Sequence, residues 1–543
     1  MLGYGDRVNY QGGAHTPGIV DEARRLVSTA RGAFAPRSQP EILLAECAHR
    51  LAQPLRVALA GQLKAGKSTL LNALVGQDIA PTDAAECTRM VTWYRHGPAP
   101  RVTAAAADGA RADVAVRRTL GADGLPGAHG SSFDLAGLRW DTAGTHEVDH
   151  LEVRWPTATL ERTTIIDTPG ISSLSREVSM RTSRLLTPDS DAAVPVPEAD
   201  AVVYLLRRLD AADIGFLEQL GTGSSEHEGS QGITGPLGVI GVVSRADEIG
   251  AGGIDALHSA REVSARFAGE LERTGLCQAV IPVAGLLAFA AATLRQREFD
   301  AFEALAGVPV DELSTALLSA DRFAHPDVRL PVPPELRGHL AARFGMFGIR
   351  MSVTLIRLGI RDSTTLAAEL ARHSGMDELR SVLEVQFAQR ADQLKAHSAL
   401  TAVARILTAH PGTRADELLP VIHNLLADVH GFAELRLLGR LRTDELSLPP
   451  DDLAELHRLI GGTGIAPHLR LGLPADATPD SIRTHAVTAV HKWRARAHHP
   501  LADQRTAKAC STAARSAEGL VTVLQEPETA PLKQVRRSPR SAR

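Results

Sequence analysis

The stretch GQLKAGKST, Gly61 to Thr69, constrains the fold of this 543-residue chain more than any other. It satisfies G-x-x-x-x-G-K-[ST], follows the apolar run RVALA and precedes TLLNAL, whose pattern is helical. Strand, glycine loop and helix form the context in which a phosphate-binding loop works. Gly61 and Gly66 permit the tight backbone path that turns N–H groups toward phosphate oxygens. Lys67 is expected to reach the β- and γ-phosphates and Ser68 to ligate Mg2+, while the helix N-terminus adds its positive end. The whole loop, Gly61, Gln62, Leu63, Lys64, Ala65, Gly66, Lys67, Ser68 and Thr69, is the expected phosphate cradle.

From Arg56 to about Leu294, short apolar runs (RVALAG, TTIIDTPG, DAVVYLL, LGVIGVVS, AVIPVAG) alternate with helical segments. That alternation predicts an α/β P-loop domain, a mostly parallel sheet flanked by helices. After Arg295 the pattern is helical only. Leu379, Leu383, Phe387 and Ala391 fall on one face, as do Leu418, Ile422, Leu425 and Val429, and DDLAELHRLI repeats the theme. An α-helical bundle is expected there, with breaks at 411–412, 448–450 and 461–467.

A P-loop enzyme also needs an aspartate on the magnesium side. D-x-x-G occurs three times, at Asp134, Asp141 and Asp167. DTAG at Asp141 has the small-GTPase spelling, but GLRW before it makes a poor buried strand. TTII before Asp167 makes a good one, so Asp167 is expected to hold a magnesium-bound water and the Gly170 N–H to sense the γ-phosphate. Ras-type enzymes orient the attacking water with a glutamine after that glycine. Here the position is Ile171, which cannot hydrogen-bond a water. Between the P-loop and Asp167 lie Thr82, Thr88 and Thr92; Thr92 sits in the strand-like MVTWY, leaving Thr88 as the candidate for the Mg2+ shell and the water. Ser244-Arg245-Ala246-Asp247 closes a further strand, where GTPases have [NT]-K-x-D. A carboxylate at Asp247 can accept both the N1 and N2 protons of guanine, which adenine does not offer. The Arg245 stem can pack along the base.

Composition excludes several classes. A formal charge of −4 gives no general attraction to nucleic acid. Cys47, Cys87, Cys277 and Cys510 lie far apart with no C-x-x-C, as expected of reduced thiols in a cytoplasmic protein. The uncharged run Leu276 to Leu294 reaches the minimum length for a membrane span, but Pro282 divides it. A buried strand, Ala279 to Val283, then a turn at Gly285 and an Ala-rich helix is the preferred reading. GMFGIRMSVTLIRLGI, Gly345 to Ile360, suits a core helix. His485, His491, His498 and His499 lack metal-site spacing and are expected at the surface.

These motifs resemble the dynamin-like GTPases. The Lys67-to-Thr88 interval and D-x-P-G followed by a hydrophobic residue carry the resemblance. PTDAAECTRMVTWYRHG, SRADEIG, VIPVAGLLA and RFGMFGIR bring it closer to the isoniazid-inducible dynamin-like proteins of bacteria. The resemblance implies a flexible start (1–15), neck helices (16–53), a GTPase head (54–394), a shortened helical stalk (395–525) and a basic tail (526–543). Val283 and Ala284 join the expected nucleotide-binding set. It also implies GTP as substrate, Mg2+ as cofactor, and hydrolysis activated by head-to-head dimerisation. Work at the cytoplasmic membrane follows, direct or through a second dynamin-like protein in a hetero-oligomer. Lys64 stands where eukaryotic dynamins have a serine that helps bind a charge-compensating cation, so its ammonium is expected to supply that charge. Two rivals remain: a regulatory GTPase without membrane work, and a scaffold that binds GTP but hardly hydrolyses it.

Overall fold

The computed structural model describes residues 18–81, 90–120, 126–135, 137–142, 144, 146–170, 198–222, 238–271, 277–441 and 446–523. They fall into two compact units, one within Ala23–Leu446 and one within Met1–Glu22 and Ser447–Arg543.

The larger unit is built on eleven described strands: β1 (Leu55–Gly61), β2 (Val91–His96), β3 (Arg101–Ala106), β4 (Arg111–Asp113), β5 (Ala115–Leu120), β6 (Pro126–Asp134), β7 (Val148–Trp155), β8 (Thr163–Asp167), β9 (Ala201–Leu206), β10 (Gly238–Ser244) and β11 (Cys277–Val283). Nine form one sheet in the order β11-β10-β9-β1-β8-β2-β7-β3-β4, and β5 pairs with β6 in a separate hairpin. The strands β8, β1, β9, β10 and β11 are all parallel. These are the five apolar runs seen in the sequence, and β1, β9 and β10 are buried along their whole length. Helices cover both faces of such strands, so continuous apolar runs are what they require. β2 joins β8 antiparallel and continues the sheet outward through β7, β3 and β4.

The first helices are α1 (Ile19–Arg31), α2 (Gln39–Ala52), α3 (Lys67–Val75), α4 (Ala158–Arg162), α5 (Ala211–Thr222), α6 (Ala256–Leu271) and α7 (Gly285–Ala292). The segment Leu276 to Leu294 thus divides into β11 and α7, and no helix among the described residues is long and apolar enough to cross a membrane. Next come α8 (Gln296–Ala306), α9 (Val310–Ala316), α10 (Ala320–Ala324) and α11 (Pro334–Arg357). Phe302 of α8 meets Phe344 of α11 edge-on, ring centroids 5.0 Å apart. Leu287, Phe347, Ile349 and Ile356 pack into the same core, so the apolar run from Gly345 is interior.

Further along lie α12 (Ser363–Arg372), α13 (Met376–Leu383), α14 (Ala391–Ala409), α15 (Thr413–Asp428) and α16 (His430–Arg440). A π turn over Glu384–Ala388 interrupts the expected face of Leu379 to Ala391. It shifts the helical register, so the buried set is Leu379, Gln386, Phe387 and Arg390. Phe387 then fits over Gly238 of β10, where an added Cβ would lie 2.8 Å from its ring. The smaller unit contains α17 (Pro450–Leu459), α18 (Pro467–Leu471), α19 (Pro479–Ala497) and α20 (Gln504–Val523), the last two packed as a hairpin. Its buried Trp493 donates to Glu455 at 3.0 Å, and Lys492 bridges Asp452 and Glu455. His485, His491, His498 and His499 are exposed.

One turn outside the sheet sets the end of β11. The Ala284 N–H donates to Ser374 O at 2.8 Å. This is possible because Gly375, at φ +74°, lets the chain lie against β11; a Cβ there would stand 2.2 Å from Pro282 O. Gly375→Ala is therefore expected to destabilise the larger unit by about 2 kcal/mol or more, read as a lowered urea midpoint.

Candidate functional site

The carboxyl ends of the parallel strands bring the site together. Parallel pairing sets Leu59 opposite Asp167 and Gly61 opposite Leu205. Gly61 has φ +146°, and a Cβ on it would lie 2.5 Å from Leu205 O, so only glycine fits where the P-loop leaves β1. The loop then turns through Lys64 (φ +62°) and Gly66 (φ +92°) into α3. The non-glycine residues of positive φ among the described residues are Arg37, Lys64 and Arg245, and the last two belong to this site. Such conformations cost free energy and concentrate at functional positions.

Lys67 is buried, and its Nζ donates to Gly61 O at 3.2 Å and Gln62 O at 3.1 Å. Ser68 Oγ donates to Asp167 Oδ2 at 2.9 Å. The other oxygen, Asp167 Oδ1, is buried without a hydrogen-bond partner among the described residues. Leaving a charged acceptor unsatisfied costs about 1–3 kcal/mol or more. A hydroxyl beside a carboxylate oxygen with spare lone pairs is an oxygen donor set suited to Mg2+, which keeps several of its waters. Burial pushes the Asp167 carboxyl up, opposed by Lys67 and the Ser68 hydrogen bond. Burial likewise pushes the Lys67 ammonium down, opposed by Asp167. The other D-x-x-G aspartates lie elsewhere. Asp134 pairs with Arg117 in the β5–β6 hairpin, and Asp141 accepts the Arg111 N–H beside β4.

Thr168 fastens the chain after β8 by donating from Oγ1 to Leu59 O at 2.8 Å. Gly170 comes next and lies against the P-loop; a Cβ would stand 2.7 Å from the Leu63 backbone. Thr88, Cys87 and Ile171 lie outside the described residues.

Two cavities meet at the loop. One of about 220 Å³ is lined by Leu63, Lys64, Lys67, Ser68, Asp167 and Gly170 among others. The second, about 520 Å³, runs from Ala65, Gly66 and Thr69 to Ser244, Arg245, Asp247 and Val283. Both include Ala65, Gly66, Thr69 and Arg245. Gly61 and Gln62 lie behind them, and Ala284 is fully buried beyond Val283.

Arg245 caps a short 3₁₀ helix, Ala246–Gly252, and its Nη1 donates to Glu248 at 2.7 Å. Ser244 Oγ donates to Leu206 O at 3.2 Å, tying the start of the loop to β9. Asp247 is buried, and burial pushes its carboxyl up to about 6. Its back wall is α11. That helix breaks at Gly345 (φ 64°, ψ 175°), where an added Cβ would lie 3.3 Å from Asp247 Oδ2. Arg350 holds the same loop by donating to Gly252 O.

Sequence reasoning missed this wall, along with Phe289, Leu286 and Arg343, which line the larger cavity. The available signal was a glycine interrupting an apolar helix in RFGMFGIR, which usually has a packing or functional reason. It also missed the tether on Gln62, whose Nε2 donates to Asp210 at 2.8 Å and Asp213 at 3.0 Å. Tyr204 OH donates to the other Asp213 oxygen at 2.7 Å.

The P-loop, Asp167 beside Ser68 and the buried Asp247 thus border two adjoining cavities. A family model described as dynamin family matches residues 57–213. The isoniazid-induced protein IniC of Mycobacterium tuberculosis is 50% identical over 497 residues, 91% of this chain and 96% of that protein. The chain belongs to the dynamin family. A bacterial dynamin-like protein of Nostoc punctiforme is 46% identical over 48 residues, 9% of this chain and 7% of that protein. A solved chain described under an oligomerised bacterial dynamin pair aligns at 11% identity with TM-score 0.30, covering 95% of this chain and 92% of that one. Members of the dynamin family are GTPases. In this dynamin-family chain, Gly345→Ala is expected to displace the Asp247 carboxylate and weaken guanine-nucleotide binding about tenfold, measured with a fluorescent GDP analogue.

Proposed function

We propose that this chain hydrolyses GTP to GDP and phosphate with Mg2+, stimulated when two GTPase heads meet. The observation that carries this reading is the continuity of the site. The phosphate-loop cavity and the cleft ending at Asp247 share residues, so one nucleotide can occupy both. Lys67 would move from the carbonyls of Gly61 and Gln62 toward the β- and γ-phosphates. Ser68 and Asp167 would hold Mg2+, which supplies charge neutralisation at those phosphates. The Gly170 N–H and Thr88 would frame the attacking water. Arg245 would pack along the base while the ionised Asp247 accepts its two protons.

Lys64 takes the charge-compensating role. It is exposed at the rim of the phosphate cavity, in a strained backbone conformation that holds it there. Charge supplied at this point by an arginine finger is worth about 10³–10⁵ in rate. Membership of the dynamin family supports assembly into a homodimer through the heads, or a hetero-oligomer with a second dynamin-like protein. It also supports work in membrane maintenance or remodelling at the cytoplasmic face, by direct contact or through that partner.

Specific GTPase activity, measured across protein concentration with and without liposomes, tests the reading. Activity should rise with concentration, and Lys64→Ala should lose that rise while retaining GTP binding. Flat, negligible turnover despite tight binding would instead identify a GTP-binding scaffold.

The pH dependence follows from Asp247. Burial pushes its carboxyl up to about 6 in the folded chain, from an ordinary value of 3.8. The folded state therefore holds this proton more tightly than the unfolded chain. Stability from this group is fully present below 3.8 and is lost as pH rises through about 6. Guanine recognition runs the other way, because it needs the ionised form. GDP affinity should fall by up to about tenfold per unit as pH drops below the folded pKa, and Asp247→Asn should weaken binding and flatten the profile.

A further inference from the structure

The outer half of the sheet carries charge that the nucleotide site does not use. The register of β2, β7 and β3 places Arg95 opposite Arg154, and Arg154 opposite Arg101. Side chains alternate between faces along a strand, so these three guanidiniums stand on one face as a single rung. Like charges directly opposite across strands destabilise a sheet. The rung also lies away from the P-loop. β2 runs antiparallel to β8, with Thr92 beside Asp167 and Tyr94 beside Ile165, so Arg95 points the rung toward the opposite end of the strands.

Among the described residues, compensation is incomplete. Glu152, in the neighbouring rung, is buried and serves three arginines: Arg154 at 3.0 Å, Arg111 at 3.3 Å and Arg95 at 3.4 Å. Burial pushes its carboxyl up, and those three arginines outweigh burial and hold it below its ordinary value. Arg101 is paired with Asp113 through two hydrogen bonds, at 2.8 and 3.1 Å. Asp141 accepts the Arg111 backbone N–H at 2.8 Å. Arg139 joins from the loop before β7 and is exposed. Among the described residues, five guanidiniums therefore stand with three carboxylates. Four of them, Arg101, Arg111, Arg139 and Arg154, line a concavity of about 270 Å³ together with Asp113 and Asp141.

This arrangement suits one ligand chemistry. A carboxylate engages one guanidinium fork, whereas a phosphate ester presents three terminal oxygens to several forks at once. The concavity is smaller than the roughly 300–1,000 Å³ of pockets that enclose drug-sized ligands, so it fits a compact anionic group. We propose that this face of β3, β4 and β7 is a second anion site, separate from the P-loop, that binds a phosphomonoester, either a lipid headgroup or a soluble phosphate ester.

The test uses the full chain saturated with GDP and Mg2+, so that the P-loop is occupied. Phosphatidylcholine vesicles with and without phosphatidic acid, and glycerol 3-phosphate in solution, are the probes. Phosphatidic acid should draw the protein to vesicles, glycerol 3-phosphate should bind, or both should occur with mutual competition. Binding of vesicles alone assigns the site to a headgroup, and binding of the soluble ester alone assigns it to a metabolite. Arg139→Gln and Arg101→Gln should each weaken binding about tenfold with GDP affinity unchanged. Asp113→Asn, which frees Arg101, should strengthen it. The proposal is overturned if neither probe binds, if the arginine variants bind like the wild type, or if RNA binds through these arginines in place of both probes.

Discussion

The register of β1 between β8 and β9 is the constraint on which the rest of the site depends. Parallel pairing aligns the carboxyl ends of the three strands at one edge of the sheet, where Gly61, Asp167 and Leu205 emerge together. A one-residue slip would turn each side chain to the other face and separate Ser68 from Asp167. The register is held by burial on both faces, by the Thr168 hydroxyl on Leu59 O, and by the close approach of Gly61 to Leu205. Sheet packing and phosphate chemistry are thus one requirement at this edge. The same glycine that allows the loop to turn also allows β9 to pair at full depth.

The Asp247 end of the cleft obeys a different balance. Burial raises Asp247 toward neutrality, and an ionised carboxylate there needs compensating hydrogen-bond donors. What holds it in place comes from far along the chain. The broken helix α11 supplies Gly345 against the carboxylate and Arg350 against the end of the loop. Likewise, Val283 is positioned through the turn at Ser374 and Gly375, which clamps the end of β11. Helices beyond the sheet therefore help to wall the cleft that ends at Asp247.

Legibility in the sequence differed with the kind of physical signal. The five parallel strands were plain because strands covered on both faces need unbroken apolar runs. The outer strands were not: RVTAAA and VDHLEVRW mix charged and small residues, because one face carries the arginines and Glu152. The helical face from Leu379 to Ala391 read correctly as helix, with Leu379 and Phe387 buried as expected and Leu383 and Ala391 only half-buried. One π turn shifted the register, so that Gln386 and Arg390 are buried. DTAG at Asp141 and DTPG at Asp167 differ by one residue in spelling, and the strand before each was the discriminating feature. In the structure only Asp167 meets Ser68.

The sequence by itself determined the P-loop, the parallel strands that flank it, the division into an α/β part and a helical part, and membership of the dynamin family. Each rests on local patterning or contiguous motifs, whose physics acts over a few residues. Only the tertiary structure decided that Gly345 backs Asp247, that Asp210 and Asp213 tether Gln62, and that Arg95, Arg154 and Arg101 form one rung. These pairings join residues tens to more than a hundred positions apart. Strand register, a helix break and a buried turn bring them together, and those are set by packing against surfaces that exist only once the chain has folded.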